Sequence, residues 1–85
     1  MSGLQADFEA AVARSKQLAE RPSNEQLLRL YALYKQASVG DVDGERPGFS
    51  DFVARAKYDA WAGVKGLSCD DAQRAYMELV ASLGA

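Results

Sequence analysis

No stretch of this chain alternates apolar and polar residues as a half-buried strand requires. Its apolar residues recur at helical spacing, in four blocks separated by capping residues, glycine and proline. In the first block, from about Ala6 to Glu20, Phe8, Ala11, Val12, Ser15 and Leu18 share a face, with Ser15 its weak member. Residues 1–5 are expected to fray, and Asp7 and Glu9 to lie near the positive end of the helix dipole. Pro22 is expected to stop this helix, because the residue before a proline is pushed out of the α region. The second block opens at Ser23, with Gln26 three residues on, the signature of a capping box. Leu27, Leu28, Leu30, Tyr31, Leu33, Tyr34 and Ala37 cover more than one face. Such a helix must pack on two sides, or pack on one and bind something on the other. Gly40 is its natural stop.

Residues 41–49 form a long connection containing an Arg46-Pro47-Gly48 turn. The third helix is expected over 51–65, capped by Ser50 or Asp51 and ended by Gly66. Phe49, Val53, Ala56, Ala60 and Val64 make one stripe of it, and Lys57 and Trp61 share another. Ser68 and Asp71 suggest a second capping box, with Leu67 as a staple residue. Ala72, Ala75, Tyr76, Leu79, Val80 and Leu83 supply the apolar side of the fourth helix. The expectation is an all-α four-helix bundle, a single domain over residues 1–85, with a long loop between helices 2 and 3.

Composition narrows what such a fold can do. A net charge of −2 and a pI near 5.0 argue against a nucleic-acid partner, which needs a basic footprint. The longest apolar run, Leu30 to Tyr34, is far too short for stable membrane insertion. The early acids and the missing hydrophobic core argue against a secretory leader. Cys69 is the sole cysteine, so no internal disulfide can form, which favours a cytoplasmic setting. It also has no histidine to activate it and reads as a structural or surface thiol. The absence of histidine removes the commonest general base and a favoured zinc ligand, so neither an enzyme nor a metal site is expected. Asp41, Asp43 and Glu45 fail as a calcium loop: set on that frame, Arg46 falls at the glycine position and Phe52 at the closing acid. They read as a solvated acidic loop, with Asp41 capping locally. No phosphate-binding P-loop is present, and the Asp-Ser-Leu site of an acyl carrier protein is missing.

Binding chemistry remains. Tyr31, Tyr34 and Lys35 are spaced i, i+3 and i+4, so they share a helix face. A phenol offers a ring to stack on and a hydroxyl to donate, and an ammonium beside it suits phosphate. Lys16 and Lys57 lie near aromatic or apolar positions on two other helices. Taken singly, each lysine is most simply a solvated surface group, and each tyrosine a core residue.

The run Tyr31-x-x-Tyr34-Lys35-Gln36-Ala37-Ser38-Val39-Gly40-Asp41, then Arg46-Pro47-Gly48, Asp51-Phe52 and Ala56-Lys57-Tyr58-Asp59-Ala60-Trp61, resembles the acyl-CoA-binding protein family. The likeness extends from about Phe8 to Leu79 without an insertion. It implies a small four-helix bundle that binds long-chain fatty acyl-CoA thioesters without transforming them, an intracellular carrier or buffer needing no cofactor. Carried over by position, it implies that Tyr31, Lys35 and Lys57 hold the adenosine 3′-phosphate region and that Lys16 flanks the adenine. Tyr76 would touch the nucleotide or pantetheine part, and Leu27 and Leu28 would help line the acyl groove. Trp61 looks like the family's buried core tryptophan, and Tyr34 combines core and site roles. Such a carrier would be a monomer making transient contacts with acyl-CoA-using enzymes. Tyr58 stands where many members carry tryptophan, Val53 where many carry lysine and Ser15 where valine is usual, and the basic C-terminal tail is missing. The other reading is a helical protein-interaction module that kept the fold and lost the ligand.

Overall fold

The capping box at Ser23 forms as the sequence predicts: the serine hydroxyl accepts from the Gln26 N–H (3.1 Å), and the Ser23 N–H donates back to Gln26 Oε1 (2.9 Å). The protein, a computed structural model, is described over residues 3–84. Over those residues the chain forms α1 (Gly3–Ser15), α2 (Asn24–Ser38), α3 (Phe52–Ala62) and α4 (Cys69–Ser82), with no strand. The all-α reading therefore holds.

Several boundaries differ from the sequence expectation, for local reasons. Helix α1 begins at Gly3, so residues 3–5 are helical, and Met1 and Ser2 lie outside the described residues. The early start leaves Asp7 and Glu9 beyond the first turn, where the dipole gives little. The same helix stops at Ser15, well before Pro22. The Ser15 hydroxyl donates to the Val12 carbonyl (2.6 Å), and the chain tightens into i→i−3 bonds from Lys16 to Ala13 and Gln17 to Arg14. In α2, Gly40 follows the Val39 C-cap at φ +100°, a conformation only glycine takes freely. Helix α3 is capped by Asp51, whose carboxylate accepts from the Ala54 N–H (3.2 Å), and it ends at Ala62, before the expected Lys65. At α4 only half of the second capping box forms. Ser68 accepts from the Asp71 N–H (3.1 Å), but the Asp71 carboxylate takes Arg74 (3.3 Å) instead of reaching back. Aspartate is one methylene shorter than the glutamate that usually closes this box.

Helix α1 packs on α4, α4 on α2, and α2 on α3. The helices thus lie in a row, in a slab 39 × 31 × 15 Å. The core lies among the first three of these: Phe8 and Ala11 from α1, Leu30 and Leu33 from α2, Ala72, Tyr76 and Val80 from α4. Helix α3 buries no residue fully. Its expected apolar stripe turns outward at one end, where Phe49 and Val53 are exposed, while Val64 packs against the core. Pairs across the α2–α3 seam advance together, Tyr31 with Lys57 and Lys35 with Trp61, so the two helices run the same way. That direction explains the long connection. The chain must return along α2, about 22 Å for a 15-residue helix, before α3 can begin.

Candidate ligand-binding site

The parallel register of α2 and α3 interleaves two i, i+4 pairs. The Lys57 Nζ lies 5.4 Å from the centroid of the Tyr31 ring, and the Lys35 Nζ lies 5.2 Å from that of Trp61. Each is a cation–π contact worth about 0.5–1 kcal/mol at an exposed site. More usefully, each fixes an ammonium beside an aromatic ring, ready for an anion.

Two hollows adjoin at Leu27 of α2. The first, a basin of about 460 Å³, is lined by Val12, Ser15 and Lys16, by Leu27, Leu30, Tyr31 and Tyr34 of α2, and by Tyr76 of α4. Lys16, which lines it, is the first residue after α1 ends at Ser15. The second, a groove also of about 460 Å³, is lined by Arg21, Asn24, Leu27, Leu28, Phe52, Val53, Ala56 and Lys57. Leu27 belongs to both walls, and Lys57 joins them by lining the groove while its ammonium covers Tyr31 of the basin. A cationic, aromatic basin thus opens beside a mainly apolar groove.

The proposed contact residues divide between these hollows. Lys16, Tyr31, Tyr34 and Tyr76 meet in the basin, Leu28 and Lys57 in the groove, and Leu27 lies between. Lys35 lines neither and sits one turn further along α2. Tyr76 is a core residue with an edge on the basin. It is 4% exposed, meets Phe8 edge-on (5.3 Å, 73°), and donates its hydroxyl to Ser15 Oγ (3.1 Å). Tyr34 is half open, lines the basin and stacks on Phe8 (6.1 Å, 23°).

Trp61 departs from expectation: it is half-buried and not part of the core. Its Nε1 donates to the carbonyl of Gly40 (2.8 Å) and to Gln36 Oε1 (3.2 Å). Gln36, 1% exposed, in turn donates to Asp41 Oδ1 (2.8 Å) and the Leu67 carbonyl (2.8 Å). The Gly66 N–H donates to the same Asp41 oxygen (2.8 Å). Asp41, expected in a solvated acidic loop and capping locally, is exposed but fastens α2 to the α3–α4 connection. The Gly66 N–H, and then the Gln36 amide, hold its pKa below the ordinary aspartate value. Nearby, Arg46 grips Asp59 through two bonds (2.8 and 2.7 Å), which lowers the Asp59 pKa and raises that of Arg46. Tyr58 donates to the Gly44 carbonyl (3.1 Å), so the long loop is tied to α3 twice.

Sequence reasoning missed Gln36, and it missed Arg21, Asn24, Phe52, Val53 and Ala56 as groove lining. Only the parallel approach of α3 gathers them, and no local pattern encodes that approach.

Four helices with an anion-ready basin beside an apolar groove define a small helical binding protein for an amphipathic molecule. Residues 5–80 match the family model described as acyl CoA binding protein. An acyl-CoA-binding protein homolog of Caenorhabditis elegans is 50% identical over 76 residues, covering 89% of this chain and 88% of the relative. The acyl-CoA-binding protein of Brassica napus is 49% identical over 81 residues, covering 95% and 88%. The crystal structure of acyl-CoA-binding protein 2 of Oryza sativa superposes with a TM-score of 0.91 at 44% identity, covering 95% of this chain and 88% of that one. The chain belongs to the acyl-CoA-binding protein family.

Proposed function

We propose that residues 1–85 act as a single domain that binds long-chain acyl-CoA and carries or buffers it without chemical change. The observation that carries this reading is the junction at Lys57 and Leu27, where the cationic basin meets the apolar groove. An acyl-CoA has the same two unlike ends. Its phosphates suit Lys57, Lys35 and Lys16, its adenine suits the tyrosine rings, and its acyl chain suits Leu27 and Leu28. A charge-assisted hydrogen bond to phosphate gives about 1.5–3 kcal/mol net. Each buried methylene gives ~0.8 kcal/mol before ordering costs. About ten buried methylenes would outweigh any single phosphate contact, so the chain sets much of the affinity and the nucleotide sets the selectivity. No convergent nucleophile and base accompany this site, and the sequence holds no histidine, so binding is its whole chemistry. We further place the protein in the cytoplasm as a monomer that meets acyl-CoA-using enzymes transiently. Its single cysteine fits a reducing compartment. No helix of the described residues is long and apolar enough to cross a membrane.

Titration calorimetry with palmitoyl-CoA, free CoA and free palmitate tests the reading. Palmitoyl-CoA should bind far more tightly than either part. Equal binding of palmitate would overturn it, because the basin would then contribute nothing.

A further inference from the structure

Among the described residues, five large apolar side chains stand exposed, and three of them fall within five residues of one another: Phe49 (82%), Phe52 (77%) and Val53 (66%). Phe49 lies on the turn that leads into α3, closed by the Asp51 N–H donating to the Gly48 carbonyl (3.2 Å), and Phe52 and Val53 open that helix. A contiguous apolar cluster left in water marks a surface that something covers. The site already described does not account for it, because Phe49 lines neither hollow.

The charge around this cluster is the reverse of the chain's. The whole chain carries −2, yet the Arg55 guanidinium lies 4.5 Å from the centroid of the Phe49 ring, and Arg21 and Lys57 line the same groove as Phe52 and Val53. Against these three cations, residues 49–57 hold one acid, Asp51, whose carboxylate caps α3. Apolar tips flanked by cations on long apolar stems match the surface of a bilayer, where hydrocarbon lies beneath a layer of phosphates. A protein partner would have to be both apolar and acidic at this one spot, whereas an anionic bilayer is both everywhere.

We infer that Phe49, Phe52 and Val53, with Arg55 and Arg21, form an edge by which the protein docks on an anionic lipid bilayer. The docking is peripheral and reversible: the rings enter the headgroup–acyl boundary and the guanidinium groups stay among the phosphates. No helix of the described residues is long enough to do more. The purpose of the edge rests on the acyl-CoA reading above. Phe52 and Val53 belong both to the edge and to the groove, so a docked protein holds the groove against lipid. An acyl chain can then pass between bilayer and protein without crossing water.

The experiment is cosedimentation of the ligand-free protein with vesicles of phosphatidylcholine alone or mixed with phosphatidylserine, at low and high salt. It compares the unmodified protein with Phe49→Ser, Arg55→Ala and Val39→Ser. Val39 is the control: it is 62% exposed, but it caps the end of α2 away from the groove. The unmodified protein should bind the mixed vesicles better than the neutral ones, and less well at high salt. Phe49→Ser should weaken binding to both by about five- to tenfold, as expected for a ring that is about half buried. Arg55→Ala should weaken binding to the mixed vesicles by about fivefold, the worth of one cation near an anionic surface, and alter the neutral ones little. Val39→Ser should behave as the unmodified protein. Calorimetry in solution should show unchanged palmitoyl-CoA affinity in all three variants, since none of these residues lines a hollow. No binding of the unmodified protein to mixed vesicles overturns the docking edge and leaves an acidic protein partner for this surface. Undiminished binding in Phe49→Ser, or an equal loss in Val39→Ser, also overturns it. Vesicle binding by a protein that does not bind palmitoyl-CoA in solution would support the edge and overturn the acyl-CoA reading.

Discussion

Lys57 serves two surfaces at once: it lines the groove, and its ammonium lies over Tyr31, which lines the basin. Lys35 has the same chemistry but is held over Trp61, outside both hollows. The two lysines should therefore not be equivalent. Lys57→Ala should weaken palmitoyl-CoA binding by about ten- to a hundredfold, the loss of one charge-assisted phosphate contact. Lys35→Ala should weaken it less. Calorimetry on both variants checks this, and a larger loss in Lys35→Ala would move the phosphate site toward Trp61. Gln36 poses a different residue-scale question, because its amide is almost wholly buried and makes three bonds to other parts of the chain. Gln36→Leu keeps the volume but leaves the Leu67 carbonyl without its donor and weakens the hold on Asp41. The expected cost is about 2–3 kcal/mol, since unmet buried polar groups cost about 1–3 kcal/mol each. Urea denaturation measures it, and a loss under about 0.5 kcal/mol would show that water replaces the amide.

The helix ends differ in how much of their chemistry is local, and this decides both their stability and their legibility. Ser23 and Gln26 complete a reciprocal box, while Ser68 makes only its own half. Ser23→Ala should cost about 1 kcal/mol in urea denaturation, and Gln26→Ala a smaller part of that. If Gln26→Ala costs nothing, the return bond is idle. Both ends of α2 were legible in the sequence because Ser23, Gln26 and Gly40 act within a few residues of themselves. The end of α1 was not, because Ser15 answers to Val12 nearby and to the Tyr76 hydroxyl on α4. The site divides in the same way. Of the proposed site, spacing on one helix singled out Tyr31, Tyr34 and Lys35, composition drew attention to Lys16 and Lys57 on two other helices, and the family resemblance added Tyr76; all but Lys35 line one of the two hollows. The walls at Phe52, Val53 and Arg21 were not legible, since they exist only once α3 lies parallel to α2. Trp61 was misjudged for a related reason. The family resemblance made Trp61 a buried core residue, but here the core passes α3 by.

At the scale of the whole molecule, α3 is the element with least burial and most polar fastening. It holds to the rest through Trp61 with Gln36 and Gly40, and through Gln36 and Asp41 to the turn that follows it. The Arg46–Asp59 pair adds a link to the long loop, but at about half exposure such a pair contributes little by itself. Two of these fastenings depend on carboxylates whose pKa values lie below the ordinary 3.8 in the fold. A depressed carboxylate stabilises the fold fully above its unfolded value, and that stabilisation is lost as pH falls through the folded value. Stability should therefore be flat with respect to these two groups from pH 7 to about 5, and should fall below about 4. The core cluster of α1, α2 and α4 contains no carboxylate, so acid should free α3 before it melts the other helices. Trp61 is the only tryptophan and sits on α3, so its fluorescence reports this one element, while circular dichroism at 222 nm reports all four. On acidification the fluorescence change should come first, at higher pH than the loss of helical signal. In Asp41→Asn the early fluorescence step should shrink, because the group that titrates is gone, and part of the change should already be present at neutral pH. Coincident transitions in the two signals would show instead that α3 and the core unfold as one unit, held by packing and not by Asp41.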